Sequence, residues 1–223
     1  MNLIELSDYY LDAIGAGSDF NNIHFTLSQS EVCQIQTDST DDAHNFLKAL
    51  ATLVRPVSGT YRFMGKEIDF FDYRKLLPIK RKIGYIGQDA TMISNRTVRE
   101  NLLLTRTYYE NSLSISLDDK VLTLCRMFNL QDKLDVRPGE LRPIDLRMAI
   151  ATREMTKPFD VLLLDGPEDY FGHETFDPLN EIINGIAHFG KAVVFFSRDQ
   201  EFVKTFPTRK IRIANGALTG VAI

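Results

Sequence analysis

The stretch from Glu31 to Gly59, EVCQIQTDSTDDAHNFLKALATLVRPVSG, has the layout of a phosphate-binding loop and the wrong side chains for one. An apolar run, Val32 to Ile35, enters a polar turn. A helix-spaced apolar set follows: Ala43, Phe46, Leu47, Leu50, Ala51 and Val54. A turn that cradles phosphate needs glycines, so that backbone N–H groups can point inward, and a lysine to supply charge. This turn has neither, and carries Asp38, Asp41 and Asp42 instead. At about 4 Å and an effective dielectric near about 20, each like charge beside a phosphate costs about 4 kcal/mol. The aspartates have a structural reading. A helix start has a positive end and orphan N–H groups, which Ser39 or Thr40 can cap while Asp42 completes a Ser-x-x-Asp pattern. The alternative is a metal site from Asp41, Asp42 and His44. Neighbours at a helix start rarely converge on one ion, and no metal is expected.

The chain that positions this stretch has 223 residues, 44% of them apolar, enough for one large domain or a domain with an insertion. A formal net charge of −4 argues against a broad basic face for nucleic acid. Cys33 and Cys125 sit in apolar stretches with no C-x-x-C spacing, which predicts buried free thiols. The N-terminus has no basic stretch followed by an apolar run, and no apolar stretch reaches bilayer length. The expectation is a cytoplasmic protein that meets a membrane only through a partner.

LIELSDYY, IHFTL and VCQI read as strands, and SGTYRFMGKEI as a hairpin with Gly59 and Gly65 as its turn residues. KIGYIG, residues 82–87, is strand-like. The middle turns helical. TVRENLLL opens on Thr97 with Glu100 three residues on, a capping-box spacing, and LDDKVLTLCRMFNL and DLRMAIATREM follow. VLLLD and AVVFFS are continuous apolar runs, expected of strands buried on both faces. KIRIANGALTGV closes as a hairpin with Asn215-Gly216 at its turn. The pattern is an α/β core interrupted by a helical insertion.

The order of these segments resembles the ATPase subunit of ABC transporters along nearly the whole chain. SEVCQI resembles the strand before that family's Walker A loop, and LVRPVSGTYRFMGKEI, with Arg55-Pro56-x-Ser58-Gly59, the segment after the Walker A helix. IGYIGQDATMISNRTVRENLLL resembles the Q-loop, with Gln88 followed by Thr97-Val98-Arg99-Glu100-Asn101. VLLLDGPEDYF resembles Walker B, and VVFFSRDQEF the switch strand. The resemblance implies a single domain over 1–223. Residues 1–88 and 155–223 would form a P-loop NTPase-like core with an N-terminal antiparallel β subdomain, and residues 89–154 an inserted helical subdomain.

Placed without gaps, the family's G-x-x-x-x-G-K-[ST] falls on Thr37 to His44. Thr37 takes the first glycine, Asp42 the last glycine, Ala43 the lysine and His44 the magnesium-binding hydroxyl. Lys48, a turn further on, points elsewhere. Asp165 keeps the Walker B aspartate, but Gly166 stands where the family has the glutamate that polarises water. Glu168 and Asp169 read as solvated loop residues. Arg198 takes the switch-histidine position and Gly172 the D-loop aspartate, while His173 and His188 match no motif. The signature segment falls on ELRPI, Glu140 to Ile144, without its serine and glycines, and Pro143 removes a donor. Tyr9 or Tyr10 matches the adenine-stacking aromatic, or is a core or edge-strand tyrosine.

The resemblance therefore implies a catalytically inactive subunit that is structural or regulatory in a membrane transport complex. Thr37, Asp42, Ala43, His44, Gln88, Asp165, Gly166 and Arg198 would form a vestigial nucleotide site with no catalytic residue and no cofactor. The expected partners are a membrane permease subunit, met through Gln88 to Asn101, and a second ABC ATPase, as homodimer or heterodimer. Nucleic acid is not expected. The expected place is peripheral, on the cytoplasmic face of the inner membrane. Two alternatives stand beside this: a subunit with residual ATP/Mg binding or hydrolysis coupled to transport, and a soluble module that reuses the cleft.

Overall fold

The computed structural model describes residues 1–111, 115–171, 173–204 and 207–221. In chain order the elements are β1 (Asn2–Leu11), β2 (Phe20–Ser28), β3 (Val32–Thr37), α1 (Thr40–Leu50), β4 (Ser58–Phe63), β5 (Lys66–Glu67), α2 (Tyr73–Arg81) and β6 (Ile83–Ile86). Three helices follow: α3 (Val98–Glu110), α4 (Asp119–Met127) and α5 (Pro143–Thr156). The chain then forms β7 (Val161–Asp165), α6 (Pro167–Tyr170), α7 (His173–His188), β8 (Ala192–Phe196), α8 (Gln200–Lys204), β9 (Arg209–Ala214) and β10 (Ala217–Val221).

Two sheets result. The antiparallel sheet has the order β2-β1-β4-β5, and the six-stranded sheet the order β10-β9-β3-β8-β7-β6. In the second sheet β9, β3, β8, β7 and β6 are parallel and β10 is antiparallel. β7 and β8 are buried at every residue, which is why their sequences are unbroken apolar runs. One apolar cluster joins the antiparallel sheet, α1 and one face of the parallel sheet, and includes Tyr9. The other joins the opposite face to α3, α4, α5 and α7.

Local chemistry explains most element ends. Thr97 Oγ1 accepts from the Glu100 N–H at 3.2 Å, and Glu100 accepts from the Thr97 N–H at 2.8 Å, so α3 starts on a complete capping box. Asn215 and Gly216 both have positive φ, 50° and 71°, as a two-residue hairpin turn between β9 and β10 requires. A Cβ on Gly216 would stand 1.7 Å from Asp19 O, and Asn21 N–H donates to Gly216 O at 3.2 Å. That turn therefore abuts the start of β2.

Gly65 is a turn residue, φ 76°, but Gly59 is not: it lies inside β4. β1 bulges between Ser7 and Tyr10, and a Cβ on Gly59 would stand 2.1 Å from Asp8 O. Close backbone approach, rather than chain reversal, requires that glycine. Helix α2 had no strong sequence signal. It buries only Leu76 and carries Pro78 within it, and it starts on Asp72, which accepts from the Arg74 N–H. Cys33 and Cys125 are both buried free thiols. Among the described residues no helix is long and apolar enough to cross a membrane.

Candidate functional site

The carboxyl ends of β3, β6, β7 and β8 converge, the place where open α/β sheets bind ligands. β3 ends at Thr37, whose Oγ1 accepts from the Ser39 N–H at 3.1 Å. Ser39 Oγ in turn accepts from the Asp42 N–H at 3.3 Å and caps α1. The Asp42 carboxylate does not return to Ser39. It is buried and turned to the loop before β2, where it accepts from Ser18 N–H at 2.6 Å and Ser18 Oγ at 3.1 Å. Asn45, one turn on, donates to Ile14 O at 2.9 Å. The loop seats this closely because Gly17 has no side chain: a Cβ there would be 2.4 Å from Asn45 Nδ2.

The next two residues point inward. Ala43 is fully buried in the core and faces no cleft. His44 Nδ1 lies in ion-pair contact with Asp165 Oδ2, without hydrogen-bond alignment. The Tyr85 hydroxyl donates to the same oxygen at 3.1 Å. Asp165 is fully buried and its Oδ1 has no partner. Burial raises its carboxyl above the ordinary carboxylate range, with the His44 imidazole and the Tyr85 hydroxyl opposing. Burial, and then the Asp165 charge, push the Tyr85 phenol up. Lys48 is held away by Asp89 at 2.6 Å. Asp38 is exposed and pairs with Arg212 at 3.0 Å, while Asp41 is exposed.

Above this layer lies a cleft of about 330 Å³ lined by Thr40, Gln88, Gly166, Glu168, Asp169 and Arg198, among others. The Arg198 guanidinium donates to Thr40 Oγ1, at the first turn of α1. Glu168 is not a solvated loop residue. It accepts from Ser197 Oγ at 2.6 Å and Arg198 N–H at 2.8 Å, because the chain leaving β8 turns back over α6. Asp169 is exposed and accepts from Gln88 Nε2 at 3.4 Å. Gly166 has φ 66°, and a Cβ there would meet Asp169 Oδ2 at 3.0 Å and Gln88 Nε2 at 3.4 Å.

The structure thus brings Gln88, Gly166 and Arg198 to one cleft and pairs His44 with Asp165 beneath it. It sends Ala43 to the core and Asp42 to the loop. Sequence reasoning missed Ser18, Tyr85 and the bridging role of Glu168. Tyr85 was within reach, since it stands in the strand that leads to Gln88. Tyr9 is 1% exposed and belongs to the core, whereas Tyr10 is half-buried on β1. In ELRPI, Pro143 opens α5 and the Arg142 guanidinium forks onto Asp145 at 2.7 and 3.0 Å. That fork, helped by Lys133, holds the Asp145 carboxyl below its ordinary value. A carboxylate of the chain itself so occupies the first turn of α5. Gly172 and the His173 side chain lie outside the described residues. His188 is exposed, edge-on to Phe189. Among the described residues no group of three or more His, Cys, Asp or Glu is placed to hold a metal ion.

The sequence model of a family described as "ABC transporter" matches residues 20–168. The methionine import ATP-binding protein MetN of Mannheimia succiniciproducens is 24% identical over 207 residues, which are 91% of this chain and 60% of that protein. The cell division ATP-binding protein FtsE of Bacillus subtilis is 22% identical over 216 residues, 97% of this chain and 94% of that protein. Among solved structures, the dimeric bacterial ABC transporter cassette MJ0796 superposes with TM-score 0.80 at 19% identity, covering 96% of each chain. The fold is that of the ABC ATPase cassettes.

Proposed function

The chain belongs to the ABC transporter family, and from that premise we propose that it is a subunit of a membrane transport complex that supports its partners without turning over nucleotide. The His44–Asp165 contact carries this reading. In the family those two positions belong to the magnesium nucleotide; here an imidazole faces the carboxylate instead. The residues present do not fit a magnesium nucleotide. A buried methyl, Ala43, stands at the position of the phosphate-binding lysine. Asp42 is turned to Ser18, and Arg198 is engaged with Thr40 and has its N–H on Glu168. No cofactor and no catalytic residue are therefore assigned.

The partners in this reading are a membrane permease subunit, met through Gln88 to Asn101, and a second ATPase-type subunit, identical or not. Support for the first is that the segment is folded onto the start of α3, where the buried Asn101 side chain accepts from Ile93 N–H at 2.8 Å and donates to Ile93 O at 3.1 Å. Support for the second is the dimeric state of the MJ0796 cassette. Within one chain, 89–154 would be the partner-facing helical unit and 1–88 with 155–223 the core. A place on the cytoplasmic face of the inner membrane accords with the lack of a bilayer-length apolar helix among the described residues.

Melting with and without MgATP tests the reading. A ligand at a hundred times its Kd stabilises the native state by about 2.7 kcal/mol. We expect no rise in Tm with millimolar MgATP beyond magnesium alone; a clear rise refutes the proposal. The relatives favour a second reading, since both are named ATP-binding proteins: a subunit with residual ATP binding or hydrolysis coupled to transport. A Tm rise with MgATP would establish residual binding, and turnover beside it residual hydrolysis. Failure to co-purify with any membrane protein would point to a soluble module instead.

A further inference from the structure

Phe159 and Lys191 stand just before β7 and β8, at the opposite end of the parallel sheet from the cleft above. There α4, the end of α5 and α7 leave a groove of about 650 Å³, the size of a small-molecule site. Leu124, Met155, Phe159, Ile182 and Ile186 form its apolar walls, and Phe189 stands at its lip, 80% exposed. Two cations mark one end. Lys191 Nζ lies 4.7 Å and Lys120 Nζ 5.8 Å from the centroid of the Phe159 ring. Among the described residues neither has a carboxylate at ion-pair distance, and Asp119 is the one carboxylate on the lining. Burial and the nearby Lys120 charge hold the Lys191 ammonium below its ordinary value.

Gly185 is a separate observation. A glycine inside a helix costs about 1 kcal/mol relative to alanine. Here φ is not positive, and a Cβ would meet nothing within 4 Å. Neither backbone geometry nor packing demands glycine, yet its missing side chain leaves one wall of the groove open.

We propose that this groove binds a soluble amphipathic carboxylate, its apolar body along Ile182, Ile186 and Phe159 and its head group between Lys120 and Lys191. The pattern is that of ligand pockets in general, apolar walls with a few placed polar groups. The concavity favours a free amphiphile over a flat membrane surface, and the two cations without a carboxylate at ion-pair distance favour an anionic head group. The inference does not depend on whether nucleotide binds elsewhere.

The test uses the full chain and monomeric dodecanoate, followed by calorimetry and by displacement of anilinonaphthalene sulfonate fluorescence. Dodecanol and dodecyltrimethylammonium serve as neutral and cationic controls. We expect one dodecanoate per chain, bound about tenfold or more tighter than either control. Gly185→Leu, which fills the groove from a position with room for a side chain, should weaken binding at least about tenfold while keeping the melting temperature. Lys120→Glu with Lys191→Glu should do the same for dodecanoate and spare dodecanol. Three results would overturn the proposal: equal affinity for the three amphiphiles, unchanged binding in Gly185→Leu, or binding to anionic vesicles with none to monomeric dodecanoate.

Discussion

Replacing His44 with alanine removes the imidazole that faces the buried Asp165 carboxylate. Breaking a buried pair by deleting one partner typically costs about 3–5 kcal/mol. Two features of this pair lower that figure. The His44 side chain keeps 14% of its exposure, and Tyr85 still donates to Asp165 at 3.1 Å. We therefore expect a loss of about 2 kcal/mol at pH 8, or about 4–8 °C in Tm for a chain of this size. The pH dependence has a fixed sign. Burial already raises the folded-state pKa of Asp165 above its unfolded value, and loss of the imidazole raises it further. Ionising Asp165 then opposes folding. The penalty is complete above the folded pKa and vanishes below the unfolded one, so the gain from adding Asp165→Asn to His44→Ala, where no imidazole titrates, must shrink as pH falls through that folded pKa. Asp165→Asn removes the charge, and adding it to His44→Ala should recover about 1 kcal/mol or more. The measurement is urea unfolding of the four proteins at pH 8 and through an acid series, followed by circular dichroism. A gain from Asp165→Asn in the His44→Ala background that stays the same through the acid series, or a coupling under about 0.5 kcal/mol, refutes the argument that the pair sustains the site.

Asp42→Ala should cost about 2 kcal/mol by removing both acceptors from Ser18, and should raise hydrogen exchange in residues 12–19; unchanged exchange there would count against the tie. Burial pushes the Cys33 thiol up to about 12 and the Cys125 thiol up to about 11, so a thiol reagent at pH 8 should titrate neither in the native chain and both after denaturation. Thr97→Ala should cost about 1 kcal/mol by opening the capping box, read by urea unfolding. The Thr97 N–H, and then Arg96, hold the Glu100 carboxyl below its ordinary value. Its stabilisation is complete above the unfolded carboxylate pKa and lost as pH falls through the depressed folded one, so wild type and Glu100→Gln should converge in stability in acid.

Legibility followed the range of the interaction. The capping box of α3 and the Asn215-Gly216 hairpin are written within four residues each, and the structure has both. The buried strands β7 and β8 announce themselves by composition alone. The site is written across the chain. Ser18 reaches Asp42, His44 meets Asp165, and Glu168 holds Ser197 only because four strand ends converge. A Ser-x-x-Asp spacing at 39–42 could not reveal that a glycine-seated loop competes for the carboxylate. Nor could the spacing at Gly59 separate a turn from a close backbone crossing, since both favour the same residue. Helix α2 was hidden for another reason: with one buried residue it has almost no apolar period to read.

Mechanically, the Asn215–Gly216 turn is an abutment. Its backbone rests on Asp19 with no room for a methyl group, and Asn21 N–H is tied to Gly216 O at 3.2 Å. A load applied to the β9–β10 hairpin passes at once into β2, and from there along the ten residues of β1. The two sheets share no strand, but they bear strain there as a single beam. A sliding movement of one sheet against the other has to break that backbone bond and the Arg209 hydrogen bond to Thr26 O, 2.6 Å, which ties β9 to β2 further along.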